Sequence, residues 1–149
     1  RSRKPGVMTR NDARAGVVPE SPNELDGQGR KTVQWTESDP HGGVMVGDYL
    51  DGERHGTWRH YALDGRLRSE GPYEHGVLHG TWTWYRAQGA LMQRGEIDHD
   101  VKHGRWERWD AQGRPLDAGD YDQGRKSGEW TTYNPDGTVK VVKRHRAKQ

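Results

Sequence analysis

Histidines are the residues of this sequence whose spacing most resembles that of a metal site. His75 and His79 are four residues apart, and so are His99 and His103. Two imidazoles across a tight turn can share a cation such as Zn²⁺. If each repeat of the chain supplies two strands, however, equivalent histidines of successive repeats lie roughly 9.6 Å apart, at about 4.8 Å per strand. That distance is too long for one ion, so we expect no tightly held metal and no cofactor.

Carboxylates could support acid–base chemistry near the same positions. Asp98 and Asp100 flank His99, and Asp120 and Asp122 follow further along the chain. General acid–base catalysis needs such groups in a concave, water-poor site that shifts their pKa values, and a narrow sheet offers little material to bury them. The chain also has no cysteine and no G-x-S-x-G, phosphate-loop or H-E-x-x-H motif. We therefore expect no catalytic residues and a protein that is not an enzyme.

A 24-residue repeat organises most of the sequence. Its columns contain Gly47, Gly71, Gly95 and Gly119; two residues later Tyr49, Tyr73, Ile97 and Tyr121; then Gly56, Gly80, Gly104 and Gly128; then Trp58, Trp82, Trp106 and Trp130; then Tyr61, Tyr85, Trp109 and Tyr133; and finally Gly65, Gly89, Gly113 and Gly137. Six columns that hold over four copies predict one structural unit repeated in tandem.

Turn signals divide each repeat into two strands. Segments such as Leu63–Gly65 fit three-residue hairpin loops closed by a glycine with positive φ. The second connection, such as residues 52–56, favours a longer turn. The segments between turns are rich in Trp, Tyr and Thr and lack a helical period. The pattern predicts an all-β fold, an elongated antiparallel meander of tandem hairpins, with positive φ at Gly65, Gly89, Gly113 and Gly137.

Two columns of aromatic residues lie three positions apart in each repeat. On a regular strand that spacing points them to opposite faces of the sheet. The glycine at the head of each repeat has no Cβ, so an aromatic ring can lie flat over its backbone. We expect one column to form the structural spine of the fold: Trp58, Trp82, Trp106 and Trp130. The other column is predicted to bind a partner, because tyrosine tolerates an interface that buries its ring and leaves its hydroxyl wet: Tyr61, Tyr85, Trp109 and Tyr133.

The sequence divides into four regions. Residues 1–25 contain three prolines, few apolar residues and no repeat, and we expect them to be extended or disordered. Residues 26–46 form a degenerate partial repeat, residues 47–140 hold the four full repeats, and residues 141–149 form a basic tail. In the partial repeat, four residues stand where Gly52, Trp58, Gly65 and Leu67 stand in the first full copy: Gly29, Trp35, Gly42 and Val44.

Composition and charge limit the partners of the chain. Val, Leu, Ile and Phe contribute only 19 of 149 residues, whereas Trp and Tyr contribute 13, so aromatic rings must form much of the core. The net charge is +2, but residues 47–137 hold 12 basic and 16 acidic residues, and residues 138–149 hold 5 basic residues and no acidic ones. Contact of the basic ends with nucleic acid or anionic lipid is less expected than contact with a protein.

Two cellular locations fit the sequence. No segment is long and apolar enough to span a membrane, and there is no apolar signal region. The sequence starts at Arg1 without an initiator Met. Export to the periplasm or cell surface after processing and a cytoplasmic location both fit this start.

The pattern G-x-Y-x-x-G-x-x-x-G-x-W-x-x-Y-x-x-x-G-x-L resembles the MORN-type repeat, in the variant found in the YwqK family of bacterial antitoxins. The resemblance covers residues 47–140, with Asp100, Trp109 and Pro115 as departures from it. It implies a meander of hairpins used as a protein-binding scaffold, in some members beside a toxin and in others within envelope or cytoskeletal assemblies. We expect a non-catalytic scaffold, most specifically an antitoxin or immunity protein. The alternative is an accessory structural subunit of a larger assembly, such as one in the cell envelope.

Overall fold

The computed structural model describes residues 21–146, which consist of strands joined by turns. The strands are β1 (Glu24–Leu25), β2 (Lys31–Ser38), β3 (Val44–Leu50), β4 (Glu53–Tyr61), β5 (Leu67–Glu74), β6 (Val77–Leu78), β7 (Gly80–Tyr85), β8 (Leu91–Asp98), β9 (Val101–Trp109), β10 (Pro115–Asp122), β11 (Arg125–Tyr133) and β12 (Val139–His145). No helix long and apolar enough to cross a membrane occurs among the described residues. The predicted all-β class is confirmed.

The strands belong to two compact units, one ending at Val77 and one beginning at Leu78. In the N-terminal unit, β1 to β5 pair in sequence order, each antiparallel to the next. In the C-terminal unit, β7 to β12 do the same, and the short β6 contains the boundary. Each unit is therefore a meander of hairpins, as the repeat predicts.

Three-residue loops close the hairpins that follow the aromatic strands. At the first of them, the Ala62 N–H donates to Arg66 O and the Gly65 N–H donates to Ala62 O, both over 2.9 Å. This is a type I turn closed by a glycine bulge. The prediction of positive φ is confirmed, with values of 82°, 100°, 83° and 89° at Gly65, Gly89, Gly113 and Gly137.

The other connection is shorter than predicted. Leu50 pairs with Glu53, so the loop consists of Asp51 and Gly52, whose φ values are 52° and 80°. Two consecutive positive φ values define the type I′ turn, whose twist matches that of the flanking strands. The glycine expected to end a longer loop, Gly56, lies inside β4 with a φ of 68°.

A bulge in the aromatic strands lets an indole ring cover a glycine backbone. Opposite Gly47 of β3, β4 has three residues where a regular ladder has one. A Cβ on Gly47 would lie 2.2 Å from the ring of Trp58, so only glycine fits. The same contact recurs in the C-terminal unit, where Trp106 covers Gly95 and Trp130 covers Gly119.

Strands lie within both of the predicted terminal regions. The expected irregular segment 1–25 ends in a strand, since Glu24–Leu25 pair with β2; its residues 1–20 lie outside the described chain. The expected basic tail begins inside a strand, because Val139–His145 form β12 and pair with β11.

Residues 26–46 have the geometry of a repeat. Trp35 pairs with Gly47, as the tryptophans of the first three full repeats pair with the next glycine of their column. The predicted alignment of Gly29 is wrong. Its N–H donates to Asp26 O over 3.0 Å, as the Gly65 N–H donates to Ala62 O. Gly29 therefore closes a three-residue loop, whereas Gly52 belongs to a two-residue loop.

Candidate functional site

The tryptophan column lies inside the two units. Three of the indoles donate from Nε1 to a backbone carbonyl of the preceding strand, over 2.8 to 2.9 Å. The single polar atom of each of these rings is therefore satisfied within the fold. The exposed fractions are 0%, 3%, 2% and 7% at Trp58, Trp82, Trp106 and Trp130. We call the side of each sheet that carries these rings the indole face.

In the N-terminal unit, a polar network covers the indole face. Glu37 accepts hydrogen bonds from the Tyr49 hydroxyl over 2.6 Å and from Lys31 Nζ over 2.7 Å. The guanidinium of Arg54 reaches Glu37 over 3.4 Å and lies 4.3 Å from the centroid of the Trp58 ring. Burial alone would raise the pKa of Glu37, but the hydrogen bonds from Lys31 and Tyr49 outweigh it and the pKa lies below its usual value. This network closes the indole face with the unit's own side chains.

In the C-terminal unit, lysines and a tyrosine cover the equivalent rings. Tyr121 contacts Trp106 and Trp130 edge-on, with ring centroids 5.7 and 5.2 Å away. Lys102 Nζ lies 4.7 Å from the Trp106 ring centroid, and Lys126 Nζ lies 4.5 Å from that of Trp130. Such cation–π contacts are favourable where the ring is desolvated. The indole face of this unit is therefore also occupied.

Trp84 is a partly buried member of the indole face that the sequence analysis did not identify. It stacks on Trp106 with ring centroids 5.4 Å apart and lies 6.2 Å from Trp82. Because Trp84 follows Trp82 by two positions, it projects to the same face. The signal was available in the sequence, since Ile97 stands where the other copies have tyrosine. A missing aromatic ring in one column predicts a compensating ring nearby.

Tyr61 is completely buried, which contradicts its predicted place on a partner-binding face. Its exposed fraction is 0%. The ring packs with Val46, and Val44 and Leu67 pack against this pair. Burial raises the pKa of the Tyr61 hydroxyl to about 12. Tyr61 is therefore a core residue, and the N-terminal unit fully buries aromatic rings three positions apart on one strand.

The same column reaches the surface in the C-terminal unit. Tyr85, Trp109 and Tyr133 are half-buried, and we call this group the tyrosine face. The Arg94 guanidinium lies 5.4 Å from the Trp109 ring centroid and pairs with Glu107 at 3.6 Å. Each of the three aromatic residues pairs across its loop with an apolar residue, in order Leu91, Pro115 and Val139. The tyrosine face is thus a repeated apolar surface with charged neighbours.

The structure brings together histidines other than the predicted pairs. His79 lies beside Asp98 and His99, and the potential ligand atoms of these three residues all lie within 4.8 Å of one another. His79 Nδ1 is 3.4 Å and His99 Nδ1 is 2.6 Å from Asp98 Oδ1. The distance argument against a shared ion is wrong here. His79 immediately precedes β7, which pairs directly with β8, so the two histidines are separated by one strand spacing instead of two.

The carboxylates considered for catalysis are solvated or engaged in structure. Asp98 and Asp122 side chains are 41% and 48% exposed. The hydrogen bond from His99 lowers the pKa of Asp98, whereas a general acid needs a raised pKa. Asp100 accepts a hydrogen bond from the Leu78 N–H over 2.8 Å. The contacts of Asp98 and Asp100 therefore hold a turn together.

Comparison with known protein families agrees with this hairpin geometry. A family model, described as the MORN repeat variant, matches residues 54–75, which cover nearly all of β4, the loop after it, β5 and the residue that follows β5. Residues 54–75 are a MORN-type repeat. MORN repeats are generally associated with binding to proteins or membranes. A search of curated proteins found no match to the chain.

Proposed function

We propose that the protein is a non-catalytic repeat scaffold that binds another protein through the tyrosine face of its C-terminal unit. The observation that carries this proposal is the half-burial of Tyr85, Trp109 and Tyr133 in a column whose member in the N-terminal unit, Tyr61, is completely buried. Aromatic rings that stay partly exposed and recur every 24 residues are suited to anchor a partner, because interfaces concentrate their binding energy in such residues.

The indole face is a poorer candidate for the same role. Its rings are buried and their Nε1 atoms mostly donate within the fold. Lys102 and Lys126 already lie over Trp106 and Trp130. A partner on this side would have to displace these cations before it reached an aromatic ring.

The most specific form of the proposal is an antitoxin or immunity-like protein, whose partner would be a toxin. It rests on the resemblance of the repeat columns to the YwqK family. The match of residues 54–75 to the MORN repeat variant supports the repeat type. The acidic balance of residues 47–137, with 16 acidic and 12 basic residues, favours a partner with a basic surface.

An accessory structural subunit is the second candidate, and the edge of the C-terminal unit supports it. Among the described strands β12 pairs only with β11, so one side of its backbone can accept a further strand. The edge is apolar as well as basic, with Val139, Val141 and Val142 50% to 55% exposed. In this form of the proposal another subunit adds a strand along β12.

Site-specific cross-linking tests which surface meets the partner. The sequence contains no cysteine, so one introduced thiol carrying a photo-cross-linker reports on one position. Glu129→Cys places the probe four residues before Tyr133 on β11, on the tyrosine face. Lys126→Cys places it over Trp130 on the indole face, and Val141→Cys places it on the edge strand.

We expect the probe at Glu129→Cys to give the strongest adduct with one defined cellular protein. A strongest adduct at Val141→Cys would favour the accessory-subunit form. Equal adducts at all three positions, or the strongest at Lys126→Cys, would contradict binding through the tyrosine face.

A further inference from the structure

One turn of the C-terminal unit carries a constellation of ligand atoms that the protein-binding role does not use. His79, Asp98 and His99 offer two imidazole nitrogens and one carboxylate oxygen, all within 4.8 Å of one another. The two histidine rings meet edge-on with centroids 5.3 Å apart. Asp98 lies between them, at 3.4 Å from His79 Nδ1 and 2.6 Å from His99 Nδ1.

Backbone pairing holds this constellation in place. Gly80 pairs with Ile97, which fixes His79 beside Asp98 on the neighbouring strand. The loop that follows consists of His99 and Asp100, with φ values of 48° and 68°. The ligand atoms are therefore placed by two paired strands and a tight turn, both of which limit their movement.

Asp100 fastens that turn to the residue before His79. The Asp100 N–H donates to Leu78 O over 3.0 Å, and the Leu78 N–H donates to the Asp100 carboxylate over 2.8 Å. Glycine occupies the position of Asp100 in the other full repeats, at Gly52, Gly76 and Gly124, and it cannot make the second bond. Asp100 therefore adds a hydrogen bond at the turn where the three ligand residues meet.

We propose that His79, Asp98 and His99 bind one divalent transition-metal ion, with Zn²⁺ as the preferred member of that class. Two imidazoles and a carboxylate are the ligands that zinc and neighbouring metals take, whereas Ca²⁺ and Mg²⁺ prefer oxygen-only sites. Three protein ligands leave at least one coordination position for water or another donor. The His99 side chain is 77% exposed, so the ion binds reversibly and is not the tightly held metal that the sequence argues against.

The next repeat provides a natural comparison that lacks one ligand. His103 lies 3.8 Å from Asp122 in the same relation as His79 to Asp98. Gln123 stands where His99 stands, with the same φ of 48°. A neutral amide is a much weaker ligand for zinc than an imidazole. Among the described residues, the three donors come together in this repeat, and the next repeat lacks one imidazole.

Calorimetric titration of the untagged, chelator-treated full chain with ZnCl₂ tests the proposal. The wild type is expected to bind one Zn²⁺ ion and no Ca²⁺ at the same concentration. His99→Gln removes one ligand and uses a residue type that the fold already accepts at this φ. It should weaken Zn²⁺ binding by about tenfold or more, since even the partners of metal ligands are worth about 10–100-fold in affinity. His41→Gln is the control, because His41 is 93% exposed and outside the constellation.

A gain-of-function variant makes the test sharper. Gln123→His supplies the missing imidazole beside His103 and Asp122 and is expected to raise the stoichiometry from one Zn²⁺ to two. Circular dichroism confirms that each variant keeps the strand signal of the wild type. Absence of Zn²⁺ binding to the wild type would overturn the proposal. So would a His99→Gln variant that binds Zn²⁺ as tightly as the wild type.

Discussion

The hairpins around Tyr61 and around Trp109 occupy the same repeat positions but differ in the strand that precedes them. Beside Tyr61 that strand supplies Val44 and Val46, and the ring is completely buried. Beside Trp109 the position of Val46 belongs to Arg94, whose guanidinium lies 5.4 Å from the ring centroid. An aliphatic side chain seals the ring, whereas a charged one must keep its head group hydrated. The position in the repeat sets the direction in which an aromatic ring projects. The side chains of the preceding strand determine whether that ring is buried or exposed.

The two units differ in how completely they bury their aromatic rings. The N-terminal unit buries both Trp58 and Tyr61 and closes its indole face with the Glu37 network. The C-terminal unit buries its indole rings and leaves Tyr85, Trp109 and Tyr133 half-buried. Under the proposed function, the C-terminal unit supplies the binding surface, although both units are built from the same repeat.

The largest expected effect is the loss of a buried indole. Trp106→Ala removes a ring that is 2% exposed, covers Gly95 and donates to Glu96 O over 2.8 Å. It should lower the free energy of unfolding by about 3–5 kcal/mol. Trp109→Ala, three residues away on the same strand, should cost clearly less because its ring is half-buried. Denaturant unfolding of the two variants measures the difference, and equal losses would make both columns core.

The buried hydroxyl of Tyr61 predicts a loss of stability at alkaline pH. Its pKa rises from 10.0 to about 12 in the folded chain, so the folded state holds the proton more tightly than the unfolded state. The resulting stability is fully present below pH 10 and is lost as the pH rises toward 12, by about 2–3 kcal/mol in total. Between pH 9 and 12, the free energy of unfolding should decrease less for Tyr61→Phe than for the wild type. For the control Tyr133→Phe, at a half-buried position, the free energy of unfolding should decrease with pH as it does for the wild type. Equal pH dependence of the two variants would contradict the burial of Tyr61.

A single methyl group tests the contact between glycine and indole. In Gly95→Ala the new Cβ would lie 2.0 Å from the Trp106 ring, and we expect a loss of about 1–3 kcal/mol from overpacking. Gly113→Ala is the matched control, because its Cβ meets nothing within 4 Å and only its positive φ of 83° opposes the change. The melting temperature of Gly95→Ala should be lower than that of the control. A control that unfolds first would show that turn geometry outweighs the packing.

The smallest expected effect comes from exchanging the neighbour that keeps Trp109 at the surface. Arg94→Val places an aliphatic side chain where Val46 lies beside Tyr61. It should bury more of the Trp109 ring and raise the stability by less than about 1 kcal/mol. Arg105→Val, at an exposed position of the same strand as Trp109, should leave the stability unchanged. A destabilised Arg94→Val variant would show that the preceding strand does not control the burial of this column.

The periodicity of the sequence predicts the strand order, the three-residue loops and the covering of glycine by tryptophan. It does not predict the shorter I′ loops, because the glycine expected to end the longer loop, Gly56, belongs to a bulge inside β4. It also misplaces Tyr61, because a prediction from repeat columns treats every copy as equivalent. In the structure Tyr61 lies beside the aliphatic Val46, whereas Trp109 of the same column lies beside the charged Arg94. The meeting of His79 with Asp98 and His99 depends on register between strands, which residue spacing along one strand does not reveal.

Capture of the cellular partner by matched variants tests the central claim most directly. Immobilised wild type, Trp109→Ala and Lys102→Ala are exposed to the same lysate, and the amount of each retained protein is quantified by mass spectrometry. Trp109 lies on the tyrosine face and Lys102 lies over Trp106 on the indole face. A partner held by the tyrosine face should be retained by the wild type and by Lys102→Ala. It should bind Trp109→Ala about thirtyfold more weakly, as expected for an anchor worth about 2 kcal/mol. Undiminished retention by a folded Trp109→Ala variant, or an equal loss with Lys102→Ala, would contradict the assignment of the tyrosine face as the binding surface.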